Sequence, residues 1–198
     1  MYVCMCMSSN EEHSRSCGSL LNASRGSKNA TTSTHHLQLA PKCLLDFQND
    51  WKVLTILIGA NNLCISCEDG RKDATPEFFD AKYRAILERV RNEIPKVFVN
   101  AVPMFNISGV HAQQRTSDYC KLIKRVSNNE CPCMGREDRD RAAMDEHNAL
   151  YTRVIHNIAS DYAAKNYSDF AVVAQPCFQD LPVLALEYLS GVDCFHPR

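Results

Sequence analysis

Near the end of the chain, Asp193-Cys194-Phe195-His196 sets a carboxylate and an imidazole at i, i+3 spacing. Far upstream, the apolar run of residues 53–58 passes directly into Gly59-Ala60-Asn61-Asn62. An Asp so placed can orient an imidazole and balance its charge, so that His196 acts as a general base. An Asn at the carboxyl end of a strand, here Asn61, can donate its amide to an oxyanion as it develops. Each motif by itself is cheap, because Asp and His three apart are common in loops and Gly and Asn are ordinary turn formers. Together they supply a base, its orienter and an oxyanion donor, which are three of the four parts of an acyl-transfer site. The fourth part, a nucleophile, is not evident. Ser16-Cys17-Gly18-Ser19 and Gly26-Ser27 do not follow an apolar strand, and no serine is nominated.

The elements that must position these groups alternate. Residues 53–58 form a β-branched and leucine run typical of a buried parallel strand. Thr75-Pro76-Glu77 gives an N-cap and a first-turn proline. Phe79, Tyr83, Ile86, Leu87, Val90 and Ile94 then recur at helical spacing until Pro95. Residues 97–102 read as a second strand, and residues 170–175 as a third that ends at Pro176. Between these two strands, residues 103–136 read as an irregular, disulfide-tethered excursion. An amphipathic helix follows from about Asp138, its apolar face carrying Met144, His147, Tyr151, Val154, Ile155, Ile158 and Tyr162. His147 reads as a core or boundary residue. The pattern predicts an α/β fold with a parallel sheet, whose ligand site lies beyond the carboxyl ends of the strands, where Asn61 and His196 both fall.

Composition narrows the class. The 198 residues are 45% hydrophobic and 23% charged, which suits a domain with a real core, and a net charge of −1 with interspersed signs argues against nucleic acid as a partner. Eleven cysteines point to an oxidising compartment. The sequons at Asn22, Asn29, Asn106 and Asn166 agree with that reading. Against it, the first residues lack the apolar core of a signal peptide, and no apolar run is long enough to span a bilayer. That combination predicts a chain that begins too late. Residues 1–43 read as a disordered leader and 44–198 as the folded domain, with His35-His36 a solvated pair rather than a metal site. Cys64-x-x-Cys67 and Cys131-x-Cys133 offer four thiolates, enough for a zinc ion and equally for bridges, although Cys-x-Cys is less typical of zinc sites.

The stretch from Trp51 to Cys64, with Cys67, Cys131-Pro132-Cys133 and Asp193-Cys194-Phe195-His196-Pro197, resembles the phospholipase B branch of the SGNH (GDSL) hydrolases over about residues 44–198. The resemblance implies a flavodoxin-like, three-layer parallel sheet, incomplete in this chain. It also implies hydrolysis of phospholipid or lysophospholipid acyl esters without a cofactor, outside the cell or at a membrane. The membrane would be met only through the substrate. By the same resemblance His196 is the general base, Asp193 its orienter and Asn61 the oxyanion amide, with Gly59 opening the motif. Cys64, Cys67, Cys120, Cys131, Cys133 and Cys194 are implied to form disulfides. Cys194 then pins the catalytic loop and is not a nucleophile. Asn62 stands where the family has Asp, and the family's Gly-Asp-Ser nucleophile block does not occur among these residues. The expectation is therefore a partial, catalytically silent copy of the domain; the competing expectation is a secreted lipid-binding, disulfide-braced or zinc-braced module.

Overall fold

A computed structural model describes residues 46–126, 130–179 and 185–196. The leader, His35-His36, the sequons at Asn22 and Asn29, Cys4, Cys6, Cys17, Cys43 and Pro197 lie outside the described residues. Three short strands, β1 (Lys52–Ile56), β2 (Val97–Ala101) and β3 (Phe170–Ala174), pair in the order β1-β2-β3, all parallel. The register sets Lys52 beside Val97 and Val97 beside Phe170, so Ile56, Ala101 and Ala174 end on one rim. Each strand ends one or two residues before its apolar run does, because the chain must turn out of the sheet to form that rim.

The face of the sheet carrying Ile56, Val97, Val99, Ala101, Phe170 and Val172 is buried. The opposite face is only partly covered, and Val173 there is 38% exposed. Right-handed crossovers between successive neighbouring strands put both long helices on one face, so the described residues hold two of the three layers that the resemblance implies.

Helix α1 (Ala60–Leu63) follows β1. Helix α2 (Pro76–Glu93) begins where Thr75 Oγ1 accepts a hydrogen bond from Phe78 N at 3.2 Å, with Pro76 in its first turn. It buries Phe79, Tyr83 and Leu87. After β2 the excursion is helical rather than irregular: α3 (Ser108–Gln114), α4 (Asp118–Val126) and α5 (Pro132–Gly135). The expectation failed because α3 and α5 are too short to display a period, and their ends are set by long-range contacts. Helix α6 (Asp138–Lys165) then spans 28 residues, with Asn166 in the left-handed conformation at its end.

The length of α6 decides how the site is built. At 1.5 Å per residue it is about 42 Å long, whereas a five-residue strand covers about 17 Å. Running back against the strands, α6 overshoots the carboxyl rim. Its second half serves the sheet: Ile155 and Ile158 are buried, each stabilising by about 2 kcal/mol, and Tyr162 packs on Phe170 and donates to Glu88 of α2 at 2.6 Å. Its first half is a wall above the rim. Tyr151 Oη donates to the Ala74 carbonyl at 2.8 Å, Asn148 Nδ2 to the Phe105 carbonyl at 3.2 Å, and Asp145 Oδ2 accepts from Ser108 Oγ at 2.7 Å. His147 sits half-buried on the boundary.

Candidate active site

Gly59 ends β1's run and opens α1 with φ of 120°, a conformation that strains any residue with a Cβ. Space forbids a side chain as well. A Cβ there would stand 3.1 Å from Phe79 and 3.4 Å from Tyr151, which are themselves stacked at 4.1 Å between ring centroids. The backbone therefore lies flat on two aromatic rings, and α1 leaves it at a fixed angle. That angle separates the two asparagines. Asn62 turns inward and its Nδ2 donates to the Asp73 carbonyl at 2.7 Å, tying α1 to the turn before α2. Asn61 is exposed, which leaves its amide available. The residue in the family's Asp position is thus structural here.

The loop from Ser190 to His196 closes on itself. Ser190 N donates to the His196 carbonyl at 2.7 Å, Cys194 N to the Ser190 carbonyl at 2.9 Å, and Val192 N to Ser190 Oγ at 3.0 Å. Within it, Asp193 Oδ1 accepts from the backbone N–H groups of Phe195 (2.9 Å) and His196 (3.0 Å), and Oδ2 meets His196 Nδ1 at 2.9 Å. Burial pushes the Asp193 carboxyl up, but these hydrogen bonds outweigh it and hold the group below the usual carboxylate range, so it is ionised at neutral pH. His196 is 63% exposed in its side chain and engages only Nδ1.

Two long-range ties hold this loop. Cys194 has φ of 55°, in the left-handed region that costs a non-glycine residue about 1 kcal/mol, and it is disulfide-bonded to Cys120 of α4. Gln114, buried at the end of α3, donates Nε2 to the Cys194 carbonyl at 3.1 Å. Sequence reading missed Gln114, since nothing local links it to a loop 80 residues away. The α1 side is stapled likewise. Cys64 pairs with Cys131 and Cys67 with Cys133, fixing the segment after α1 to α5. All six cysteines expected in bridges are in them, and the four sulfurs weighed for zinc are bound to one another. Among the described residues Cys177 is unpaired and exposed.

The structure therefore joins Asp193 to His196 directly. It places Asn61 on the same carboxyl rim, without a side-chain hydrogen bond to either. An open surface depression of about 620 Å³ lies elsewhere, among Cys67, Glu68, Arg136 and Arg139. A tighter crevice borders the candidate site and is lined by Gln114, Lys124, Cys131, Met134 and Asp193.

A parallel α/β sheet with this histidine loop and this asparagine turn is the architecture of an SGNH hydrolase. The family description "GDSL-like Lipase/Acylhydrolase" matches residues 13–198, and the chain belongs to that family. Its relatives place it in the phospholipase B branch. It is 32% identical to mouse "Phospholipase B1, membrane-associated" over 162 residues and 34% identical to the rat protein of that name over 167. It is 30% identical to the human protein over 162 residues. Each match covers 77% of this chain and 11% of the relative's length. The family match begins inside the segment read from sequence as a leader. No described helix is long and apolar enough to cross a membrane.

Proposed function

We propose that this domain carries the base, orienter and oxyanion amide of a carboxylic ester hydrolase acting on acyl esters of phospholipids or lysophospholipids. The observation that carries the reading is the Asp193–His196 pair. An ionised carboxylate at 2.9 Å from Nδ1 selects the tautomer with the proton on Nδ1. The Nε2 lone pair is then left to take the proton of a hydroxyl nucleophile and return it to the leaving alkoxide. Asn61, freed by the inward turn of Asn62, supplies an amide N–H to the oxyanion of the tetrahedral intermediate. The nucleophile would be the serine of a Gly-Asp-Ser block, which the 198 residues do not contain. The domain proposed to carry these groups is bounded at residues 44–198. The three disulfides fit an extracellular or lumenal setting, where they would persist.

Without that serine the covalent part of the rate is gone, a loss of many orders of magnitude in triad enzymes. The purified 198-residue chain is expected to show no hydrolysis of lysophosphatidylcholine above background. Hydrolysis that disappears in His196→Ala would overturn this silence.

A further inference from the structure

Two of the four sequons fall among the described residues, and the fold treats them differently. Asn106-Ile107-Ser108 lies beyond the carboxyl end of β2 and is wedged into the rim, where its neighbours Phe105 and Ile107 are buried in the core. The half-buried Asn106 side chain is engaged on both sides. Its Oδ1 accepts from Ser108 N at 3.1 Å, and its amide faces the Asp145 carboxyl of α6. Ser108 Oγ, the hydroxyl that a sequon must present, lies 2.7 Å from both Asn106 Oδ1 and Asp145 Oδ2. A sugar carried on Asn106 Nδ2 would have to push α6 away.

Asn166-Tyr167-Ser168 lies at the other end of the sheet, in the turn between α6 and β3. Asn166 closes α6 in the left-handed conformation, with φ of 48° and its N–H bonded to the Ala163 carbonyl at 3.2 Å, a conformation that asparagine tolerates better than most residues with a Cβ. The central Tyr167 is anchored. Its ring meets Phe170 edge-on, and the Arg91 guanidinium lies 5.1 Å from its centroid. Asn166 and Ser168 on either side are exposed, and neither side chain has a hydrogen-bond partner among the described residues. The anchored tyrosine therefore holds an acceptor amide and a hydroxyl open to solvent on a fixed turn.

We propose that Asn166 is an N-linked glycosylation site of this protein, and that Asn106, despite its sequon, stays bare in the folded chain. The transfer replaces one Nδ2–H of Asn166 by a bond to the anomeric carbon of an oligosaccharide carried on a lipid diphosphate. The lipid diphosphate leaves with the bonding pair and the displaced proton goes to water. The glycan would stand at the end of α6 on the amino rim. The length of a five-residue strand, about 17 Å, separates that end from the rim of Asn61, Asp193 and His196, so the carbohydrate would leave the acyl-ester site open. The inference rests on the extracellular or lumenal setting proposed above, where such sequons are modified.

The test directs the full 198-residue chain into the endoplasmic reticulum of cultured cells by an added signal peptide and confirms the three disulfides by mapping. Glycans are then released by a glycoamidase in heavy-oxygen water, which converts each formerly glycosylated Asn to a labelled Asp that peptide mass spectrometry locates. Asn166 should be labelled and Asn106 unlabelled. Asn166→Gln and Ser168→Ala should each remove one glycan from the intact mass, the second with the acceptor amide still present. Asn106→Gln should leave the number of glycans unchanged. A correctly bridged chain with Asn166 bare, or with Asn106 labelled, would overturn the proposal. Because the added signal peptide fixes the compartment, these outcomes do not depend on the proposed setting. That setting fails separately, if Asn166 is glycosylated in the directed chain and bare in the protein from its source cells.

Discussion

The two rims of the sheet are built in opposite ways. At the amino ends, the closing interactions are hydrogen bonds, most of them local and one spanning 47 residues. Asp46 caps its own turn by accepting from Gln48 and Asn49. The ammonium of buried Lys52 reaches the Phe47 carbonyl at 2.5 Å, and Lys96 reaches the Asn49 carbonyl at 2.8 Å. No described disulfide lies there. At the carboxyl ends, the histidine loop closes on itself but is held by long-range ties: three disulfides with sequence separations of 66 to 74, and Gln114 bonded to Cys194. Positive φ occurs at both rims, at Gly59 and Cys194 here and at Lys96 and Asn166 on the other. Unsatisfied polarity gathers at the carboxyl rim, where Gln114 Oε1, Asp145 Oδ1 and Asn148 Oδ1 are buried without hydrogen-bond partners. A region that needs only to end a sheet is closed by hydrogen bonds alone. The carboxyl rim is cross-linked by disulfides as well, as expected where side chains must be held in a set geometry.

Breaking the carboxyl rim should therefore cost most. Replacing both Cys120 and Cys194 by serine opens a loop of 74 residues. The expected loss is about 2–4 kcal/mol in urea unfolding, together with loss of protease resistance around residues 190–196. Gly59→Ala should cost about 2 kcal/mol, combining the positive φ with a Cβ at 3.1 Å from Phe79. A thermal melt under non-reducing conditions reads that change. The amino rim should be tolerant. Lys52→Met removes a buried ammonium, its bond to Phe47 and its place over that ring, yet keeps the volume, so its urea midpoint should shift by less than about 1 kcal/mol.

The smallest expected effect sharpens the contrast by its pH dependence. The Asp193 carboxyl is lowered from 3.8 in the fold. Its contribution is therefore fully present above that ordinary value and is lost as pH falls through the lower, folded one. Asp193→Asn should leave a shallower decline of stability in that acid window, measured as urea midpoints from neutral pH downward. A variant with the unchanged acid limb of the parent would show that the carboxylate is not held as described.

Sequence legibility divides along the same line. The strands and α2 could be read because their signals are local: β-branched runs, Thr75-Pro76, and apolar residues at helical spacing. Asp193 and His196 were legible for the same reason, since the pair forms within one turn of chain. The function of α6's length was not read, although 28 residues against strands of five already implied an overshoot. Helix α4 carried a period in Tyr119, Leu122 and Ile123 that the flanking cysteines obscured. Gln114, the inward turn of Asn62 and the pairing of Cys64 with Cys131 are decided by what the fold brings close, and nothing beside those residues in the chain announces them.

The most direct test supplies the part these residues lack. A segment bearing the Gly-Asp-Ser block that the family resemblance implies would be fused ahead of Asp46, the three disulfides verified by mapping, and initial rates measured on lysophosphatidylcholine. The expected result is hydrolysis that depends on the added serine, disappears in His196→Ala and falls by about a hundredfold in Asn61→Ala. A correctly bridged fusion whose serine-dependent rate is indifferent to His196→Ala would contradict the assignment of this rim as half of an esterase site.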